Sequence, residues 1–306
     1  MFFIAFKNVL IMLLYMSCGF TLVKTGKAHS EHAKSLSAVL IYLCGPSLII
    51  SAFQDMTYSL ESACDIGLFF VITLTIQIVS FAILYIVLHR KYDDAKYRIL
   101  SCGAVMGNVG FFGMPMVMAL FPNEPVVACY STMYSMSMNL LVFTMGVFLI
   151  THNRKFITPK SALLNPTSIA IFLSLPMYFL DVHLPAELGS AVSLLGKMTT
   201  PVCMLILGMR LASVSLRKLF SRPFVYLVCG LKLLVYPMFA YLCVLFLPFV
   251  SATFKACILV LSAAPTGAML LSLAELHGCE QEMSANVVLL ATIFCVVTLP
   301  LVVLIV

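Results

Sequence analysis

The chain has 306 residues, of which 62% are hydrophobic and only 10% are charged. Soluble domains carry about 25% charged residues, so a water-soluble core cannot hide this much apolar surface and lipid must surround most of the chain. The formal net charge is +6. In a membrane protein the positions of the basic residues report orientation, and we predict no nucleic-acid partner.

Ten hydrophobic segments, separated by charged residues or turn signals, follow one another along the chain. A membrane-spanning helix needs about 20 apolar residues, so ten helices take roughly 200 positions and leave no room for a soluble domain. We therefore predict ten transmembrane helices. The segments, numbered 1 to 10, are predicted at residues 2–23, 36–53, 65–88, 99–121, 126–151, 164–181, 189–210, 223–247, 253–276 and 284–305.

Lys and Arg concentrate in alternate connections. Most of the 18 basic residues, among them Lys27, Lys155, Arg217 and Lys218, lie in or beside the connections after segments 1, 3, 5 and 7. The connection after segment 9, His277–Glu280, contains no Lys or Arg although it is expected on the same side. Because basic loops stay inside, we predict a multi-pass protein of the cell membrane with both termini outside.

Paired prolines predict an internal repeat. Pro46 in segment 2 and Pro201 in segment 7 lie at nearly the same separation as Pro115 in segment 4 and Pro265 in segment 9. A repeat of five spans must be inverted relative to its partner. We therefore predict an all-α membrane protein made of two inverted repeats. The repeats are expected at residues 1–151 and 164–306, with a short cytoplasmic connection at 152–163.

Segment 4 contains a run of glycines that ends at Pro115. Glycine costs about 1 kcal/mol relative to alanine inside a helix, and proline removes a backbone donor, so this segment is expected to break within the membrane. The half-helix after the break would present free amides to an anion, beside the amide side chain of Asn108. The alternative is a glycine-lined packing face with a kinking proline.

Segment 9 carries a matching interruption at residues 261–268, with small residues and a proline. Paired interruptions in corresponding segments point to a transporter's binding site. The predicted substrate site, where segments 4 and 9 cross, contains Asn108, Gly110, Gly113, Pro115, Pro265 and Thr266.

Other polar residues lie inside the predicted spans. A charge within the membrane is functional by default, but a long lysine can also extend to the membrane surface. On this basis Lys232 is favoured as functional and Lys197 is left open. Glu275 is either a solvated helix end or a proton site, and Asn139 either lines the cavity or pairs between helices. Lys232, Asn139 and Glu275 are the candidates for a polar or ion-linked role.

Several function classes lack their motifs. The sequence has no Walker motif for ATP and no HExxH, GxGD or Gly-x-Ser-x-Gly for an intramembrane enzyme, so no catalytic residue is predicted. The 11 Cys are scattered singly, so we predict neither a metal nor a cofactor.

A secondary carrier explains the paired interruptions. The lack of a clearly placed intramembrane carboxylate favours transport without strict sodium coupling, and proton coupling through Glu275 or the substrate is the alternative.

The run Gly107–Pro115 resembles the Asn-x-Gly-Phe-x-Gly-x-Pro signature of the auxin efflux carrier family. The resemblance extends over essentially the whole chain. Further matching positions are residues 19–26, Pro46–Leu48, Pro201–Val202, Leu207–Gly208, Ala264–Ala274 and Leu299–Pro300.

This resemblance implies a mobile transport bundle, in which segments 4 and 9 cross as broken helices, and a scaffold that forms a homodimer in the lipid bilayer. It implies elevator-like alternating access for a small organic anion, such as indole-3-acetate in plants or malonate and malate in bacteria. Asn108 matches the family's asparagine at the first crossing.

The sequence departs from the plant members at two places. The connection at 152–163 is short where theirs is long, which favours a bacterial type of carrier. At the second crossing Ala264 stands where plant members have asparagine, which argues against auxin itself, while malonate, malate or an auxin-like acid stay the candidate substrates. The alternatives are a sodium- or proton-coupled symporter of another solute on the same fold, and a membrane receptor that transports nothing.

Overall fold

The computed structural model describes residues 1–29, 31–157, 160, 163–214 and 219–306. Arg217, Lys218 and part of the predicted connection at 152–163 lie outside the described residues. Regular structure in the described ranges is helical, apart from one isolated antiparallel bridge between Gly107 and Thr266. Helix suits a lipid environment because its backbone donors and acceptors are satisfied within the segment.

Helices occur in each of the ten stretches predicted from hydropathy. In the described part of the chain, seven are long and apolar enough to cross a membrane. They are Phe2–Lys24, His32–Gln54, Leu60–Lys91, Val126–Thr151, Ala186–Ser213, Pro223–Leu245 and Gln281–Ile305, which are segments 1, 2, 3, 5, 7, 8 and 10. Segment 6 is the shorter helix Pro166–Phe179.

Segments 4 and 9 each consist of two short helices. Segment 4 divides into helix 4a, Ala95–Val105, and helix 4b, Val109–Leu120. Segment 9 divides into helix 9a, Ala252–Ser262, and helix 9b, Ala268–His277. Both segments therefore contain the interruption that their glycines and prolines predict.

Local sequence signals set several helix ends. The Ser59 hydroxyl accepts from the amide of Ser62 at the start of segment 3, and Ser251 accepts from the amide of Phe254 at the start of 9a, each at 3.1 Å. Such side chains satisfy amides that have no partner in the first turn of a helix. Helix 9b ends at Gly278, whose φ of 64° is the left-handed conformation that glycine adopts readily.

The segments pack in two groups. Segment 1 packs along segment 7, and segment 2 packs against segments 6 and 7. Segments 3, 4, 5, 8, 9 and 10 pack mainly with one another, with segment 3 on segment 5 and segment 8 on segments 9 and 10. Segment 1 also touches segment 10 and helix 4b, so the two groups meet along one boundary.

Glycine allows the close approach of segments 1 and 7. A methyl group at Gly19 would overlap the backbone carbonyl of Leu205, and one at Gly208 would overlap the backbone of Met16. Small residues of this kind let helices in membranes pack backbone to backbone. The first group of segments is therefore held by contacts that leave no space for an added side chain.

The connections gather at two ends of the helical bundle. At one end Arg210 pairs with Glu275 at 3.1 Å and Arg222 pairs with Glu282 at 2.8 Å. The short connection after segment 9, which lacks Lys and Arg, therefore lies beside basic residues of the seventh connection. At the other end Gln54 donates to the carbonyl oxygen of Val182 at 3.1 Å.

Candidate functional site

Segments 4 and 9 lose their helical structure where they meet. Between 4a and 4b, and between 9a and 9b, short extended stretches run antiparallel to each other. The Asn108 amide donates to the Pro265 carbonyl at 2.7 Å, and the Gly267 amide donates to the Met106 carbonyl at 3.1 Å. Each break thus satisfies backbone groups that the other leaves without a helical partner.

The break in segment 4 falls at residues 106–108, before Pro115. Pro115 lies at the start of the α-helical part of 4b and follows a π-helical turn, Val109–Gly113. Proline has no backbone N–H, so it cannot donate a hydrogen bond to a carbonyl of the preceding helical turn. The wider π-helical turn occurs where that hydrogen bond is missing. Pro265, in contrast, lies in the crossing itself. The two prolines therefore occupy different positions relative to the crossing, and Gly107 is the residue opposite Thr266.

Ends of four half-helices meet at the crossing. The carboxyl ends of 4a and 9a are covered by donors, because the Thr266 hydroxyl donates to the Gly103 carbonyl at 2.9 Å and the Lys232 ammonium donates to the Ser262 carbonyl at 2.8 Å. The amino ends are those of 4b and 9b. Their first amides have no acceptor within their own helix, which makes these ends attractive to an anion.

The Asn108 side chain reaches from the crossing toward segment 7. Its Nδ2 lies 3.7 Å from the sulfur of Cys203, and the residue is only 8% exposed. A thiol is a weak acceptor, so a carboxylate oxygen could replace it as the partner of this amide. The Thr200 hydroxyl of segment 7 also donates to the Phe111 carbonyl of 4b at 3.2 Å. Asn108 therefore lies on the boundary between the two groups of segments.

The two site glycines of helix 4b have different surroundings. Gly110 is partly exposed, and a Cβ there would lie 3.3 Å from the Ser135 hydroxyl. Gly113 is buried, and a Cβ there would lie 3.0 Å from the Leu261 side chain and 3.7 Å from that of Ala264. Gly110 leaves space beside a hydroxyl, whereas Gly113 lets 4b pack against segment 9.

Lys232 contacts residues of both segments at the crossing. It is fully buried in a π-helical turn of segment 8, Leu231–Val235, and its Nζ lies 4.6 Å from the ring centroid of Tyr236. A Cβ at Gly107 would lie 3.0 Å from this Nζ, so glycine leaves the room that the ammonium group occupies. The Tyr236 hydroxyl in turn lies 2.6 Å from that of Tyr134 in segment 5.

The other two polar candidates lie apart from these contacts. Glu275 is half-exposed at the end of 9b, where it pairs with Arg210. The structure therefore does not bring Glu275 to the crossing. Asn139 is buried in segment 5, next to Met138, whose sulfur lies 3.3 Å from the amide nitrogen of Gly107.

Some contacts at the crossing have no signal in the sequence. The tyrosine pair, Tyr134 and Tyr236, and the sulfur contact of Asn108 join segments that are far apart in the chain. Tyrosine and cysteine are common in apolar helices, so neither residue type identifies a partner. The π-helical turn at Lys232 is likewise visible only in the structure.

Comparison with known proteins identifies the family. A family model described as membrane transport protein matches residues 4–161 and 150–303. An uncharacterized transporter of Methanothermobacter thermautotrophicus is 28% identical over 300 residues, which are 96% of each chain. An uncharacterized transporter of Methanocaldococcus jannaschii is 24% identical over 298 residues, again 96% of each chain. Because the two family matches cover almost the whole sequence, the chain belongs to the auxin efflux carrier family of membrane transport proteins, which are multi-pass transporters and not enzymes.

Proposed function

We propose that this protein is a secondary transporter that carries a small organic anion across the cell membrane, with a carboxylate bound at the crossing of segments 4 and 9. The main support is the pairing of Asn108 with Pro265, which brings the amino ends of 4b and 9b together beside the Asn108 side chain. In this proposal Gly110 leaves space for the substrate, and the Thr266 hydroxyl bonds segment 9 to helix 4a. Pro115 starts the α-helical part of 4b, and Gly113 lets 4b pack against segment 9.

An anion suits the charges around this crossing. Two helix amino ends bring partial positive charge, and Lys232 places its side-chain nitrogen against Gly107. In the described residues the salt bridges of Asp and Glu lie near segment ends, and no such pair reaches Lys232. An anion can therefore be held here by backbone amides and the Asn108 side chain, close to the buried Lys232 amine.

The packing of the segments supports two inverted repeats and an elevator-like motion. If repeat 1–5 is equivalent to repeat 6–10, the pair of segments 1 and 7 corresponds to the pair of segments 6 and 2, and the pair 3 and 5 corresponds to 8 and 10. Each of these pairs is packed in the structure. We propose that segments 1, 2, 6 and 7 form the scaffold and that the other six slide against it with the substrate.

The proposed boundary carries contacts that a sliding motion can break. Asn108 reaches Cys203 through a weak sulfur contact, and Thr200 reaches Phe111 through one 3.2 Å hydrogen bond. In the same proposal the basic end of the bundle is cytoplasmic, both termini are outside, and two copies associate through their scaffold segments. Energy comes from the substrate gradient, the membrane potential or an ion gradient, without a strict requirement for sodium.

Uptake into proteoliposomes tests this function. The purified protein is offered radiolabelled monocarboxylates and dicarboxylates, with sodium, proton and potential gradients imposed one at a time. We expect saturable carboxylate uptake that persists without sodium. Transport of neutral or cationic solutes but of no carboxylate would contradict the substrate class. Complete dependence on sodium would contradict the proposed source of energy.

A further inference from the structure

Lys232 is a fully buried lysine that no described Asp or Glu pairs with. Within the described part of the chain, which includes every Asp and Glu, the ion pairs involve other basic residues and lie near segment ends. Both close contacts of the Lys232 ammonium favour its charged form. One is the Ser262 carbonyl at the negative end of helix 9a, and the other is the ring face of Tyr236.

The groups around Lys232 supply no full negative charge. Tyr236 lies on its own segment, Tyr134 of segment 5 contacts the Tyr236 hydroxyl, and the Cys295 thiol of segment 10 lies 3.9 Å from the carbonyl oxygen of Ala263, next to Ser262. Segment 4 contributes Gly107, and segment 9 contributes carbonyl oxygens. Phenols and thiols are neutral near pH 7. Protonated Lys232 therefore gives the bundle a positive charge that no neighbouring side chain neutralises.

An uncompensated charge disfavours movement through a region of low dielectric constant. A substrate with one negative charge, bound beside Asn108, would neutralise Lys232 and leave the loaded bundle without net charge at its centre. A doubly charged substrate would leave one negative charge there instead. The Lys232 ammonium lies against Gly107, the residue that precedes Asn108 in the chain, so its charge would distinguish substrates by theirs.

We propose that Lys232 is a built-in counter-charge of the moving bundle and selects substrates that carry a single negative charge. This inference rests on the proposed function, carboxylate transport at the crossing. It adds that a dicarboxylic acid is carried as its singly protonated form. Lys232 acts here as a specificity-determining residue and need not touch the substrate.

Exchange of labelled substrate across proteoliposomes tests this role, because exchange moves no net charge. The probes are malonate and its monomethyl ester, which have nearly the same size but carry two charges and one charge near neutral pH. For the wild-type protein we expect the ester to exchange at least about tenfold faster than malonate, which is about 1.4 kcal/mol. Lowering the pH toward the second pKa of malonate should accelerate malonate but not the ester.

Three variants separate charge from packing. Lys232→Met removes the charge from a side chain of similar length and leaves the loaded ester uncompensated, so the ester should exchange at least about tenfold more slowly than in the wild type. Lys232→Arg keeps the charge and should keep the ester rate. Lys255→Met is the matched control. Lys255 also donates to a carbonyl at a helix end, that of Leu245 at 2.9 Å, but lies about 10 Å along 9a from Ser262, so the ester rate and the ratio should both stay at the wild-type value.

Two results would overturn the inference while the proposed function stands. One is equal exchange of ester and malonate by the wild-type protein at every pH. The other is a folded Lys232→Met variant that exchanges the ester at the wild-type rate. If Lys232→Met does not fold, the wild-type pH series and Lys232→Arg still test whether the charge of Lys232 selects the substrate. If the wild-type protein exchanges no carboxylate at all, the proposed function itself is wrong.

Discussion

The backbone amide of Asn108 donates a 2.7 Å hydrogen bond to the carbonyl oxygen of Pro265, and this bond joins the interruptions of segments 4 and 9. The two residues belong to different halves of the chain, yet each break depends on the other for its hydrogen bonds. The crossing is therefore one structural unit, and a change at either break should affect both segments.

Replacing the proline within the crossing should impair turnover more than replacing the proline beside it. Alanine favours helix over proline by about 3 kcal/mol, so Pro265→Ala should let 9a extend and should lower the maximal uptake rate by about tenfold or more. Pro115→Ala is the control, because Pro115 lies at the start of a helix, and it should retain most of the rate. Initial rates at saturating substrate measure both. A Pro115→Ala variant that is the slower of the two would contradict this placement of the break.

The Thr266 hydroxyl should stabilise the fold through its 2.9 Å bond to the Gly103 carbonyl. Thr266→Val keeps the shape but leaves that buried carbonyl without this donor, which should destabilise the protein by about 1–3 kcal/mol. Thr266→Ser keeps the hydroxyl and should stay closer to the wild type. Thermal unfolding in detergent compares the three proteins. If valine and serine gave the same midpoint, the hydrogen bond would not contribute to stability.

Gly208→Ala should destabilise the proposed scaffold. A methyl group there overlaps the backbone of Met16, so segments 1 and 7 must separate, and overpacking of this kind costs about 1–3 kcal/mol. Gly67→Ala is the matched control because a Cβ there meets nothing within 4 Å, and it should be neutral or slightly stabilising. The melting temperatures of the two variants in detergent give the comparison. Equal melting temperatures would show that segments 1 and 7 can move apart without loss of stability.

Cysteine labelling tests the orientation of the bundle. In a background without native cysteines, a cysteine at Lys27, Lys155 or Glu275 should react with an impermeant reagent only after the cells are permeabilised. A cysteine at Asp181, near the opposite end of the bundle, should react in intact cells. Labelling of Lys27→Cys or Lys155→Cys from outside would reverse the proposed orientation, and opposite behaviour of Lys155→Cys and Glu275→Cys would contradict the packing of the connections.

Hydropathy was sufficient to locate the ten segments because each run of apolar residues ends at charged or turn-forming residues. The interruptions of segments 4 and 9 were also predictable, since glycine and proline weaken a helix wherever they occur. The sequence did not predict the residue at which segment 4 breaks. Gly103, Gly107, Gly110, Gly113 and Pro115 all disfavour helix, and pairing with residues 265–267 decides among them.

The surroundings of individual polar residues could not be read from the sequence. Lys232 was identifiable as a charge within an apolar segment, but its contacts with Ser262 and the space left by Gly107 arise only when segments 4, 8 and 9 pack. Glu275 was a candidate because it lies near the end of an apolar run. Its exposed pairing with Arg210 depends on two connections that are distant in the chain.

Binding of a carboxylate to the purified protein, with Asn108→Ala compared with the wild type, tests the central claim most directly. The lost hydrogen bond to a charged partner is worth about 1.5–3 kcal/mol, so the dissociation constant should rise roughly ten- to a hundredfold while expression and melting temperature stay unchanged. Asn8→Ala, in which Asn8 bonds its own helix in segment 1, should bind as the wild type does. Unchanged affinity in Asn108→Ala, or loss of its fold, would show that Asn108 is a packing residue and that the substrate binds elsewhere.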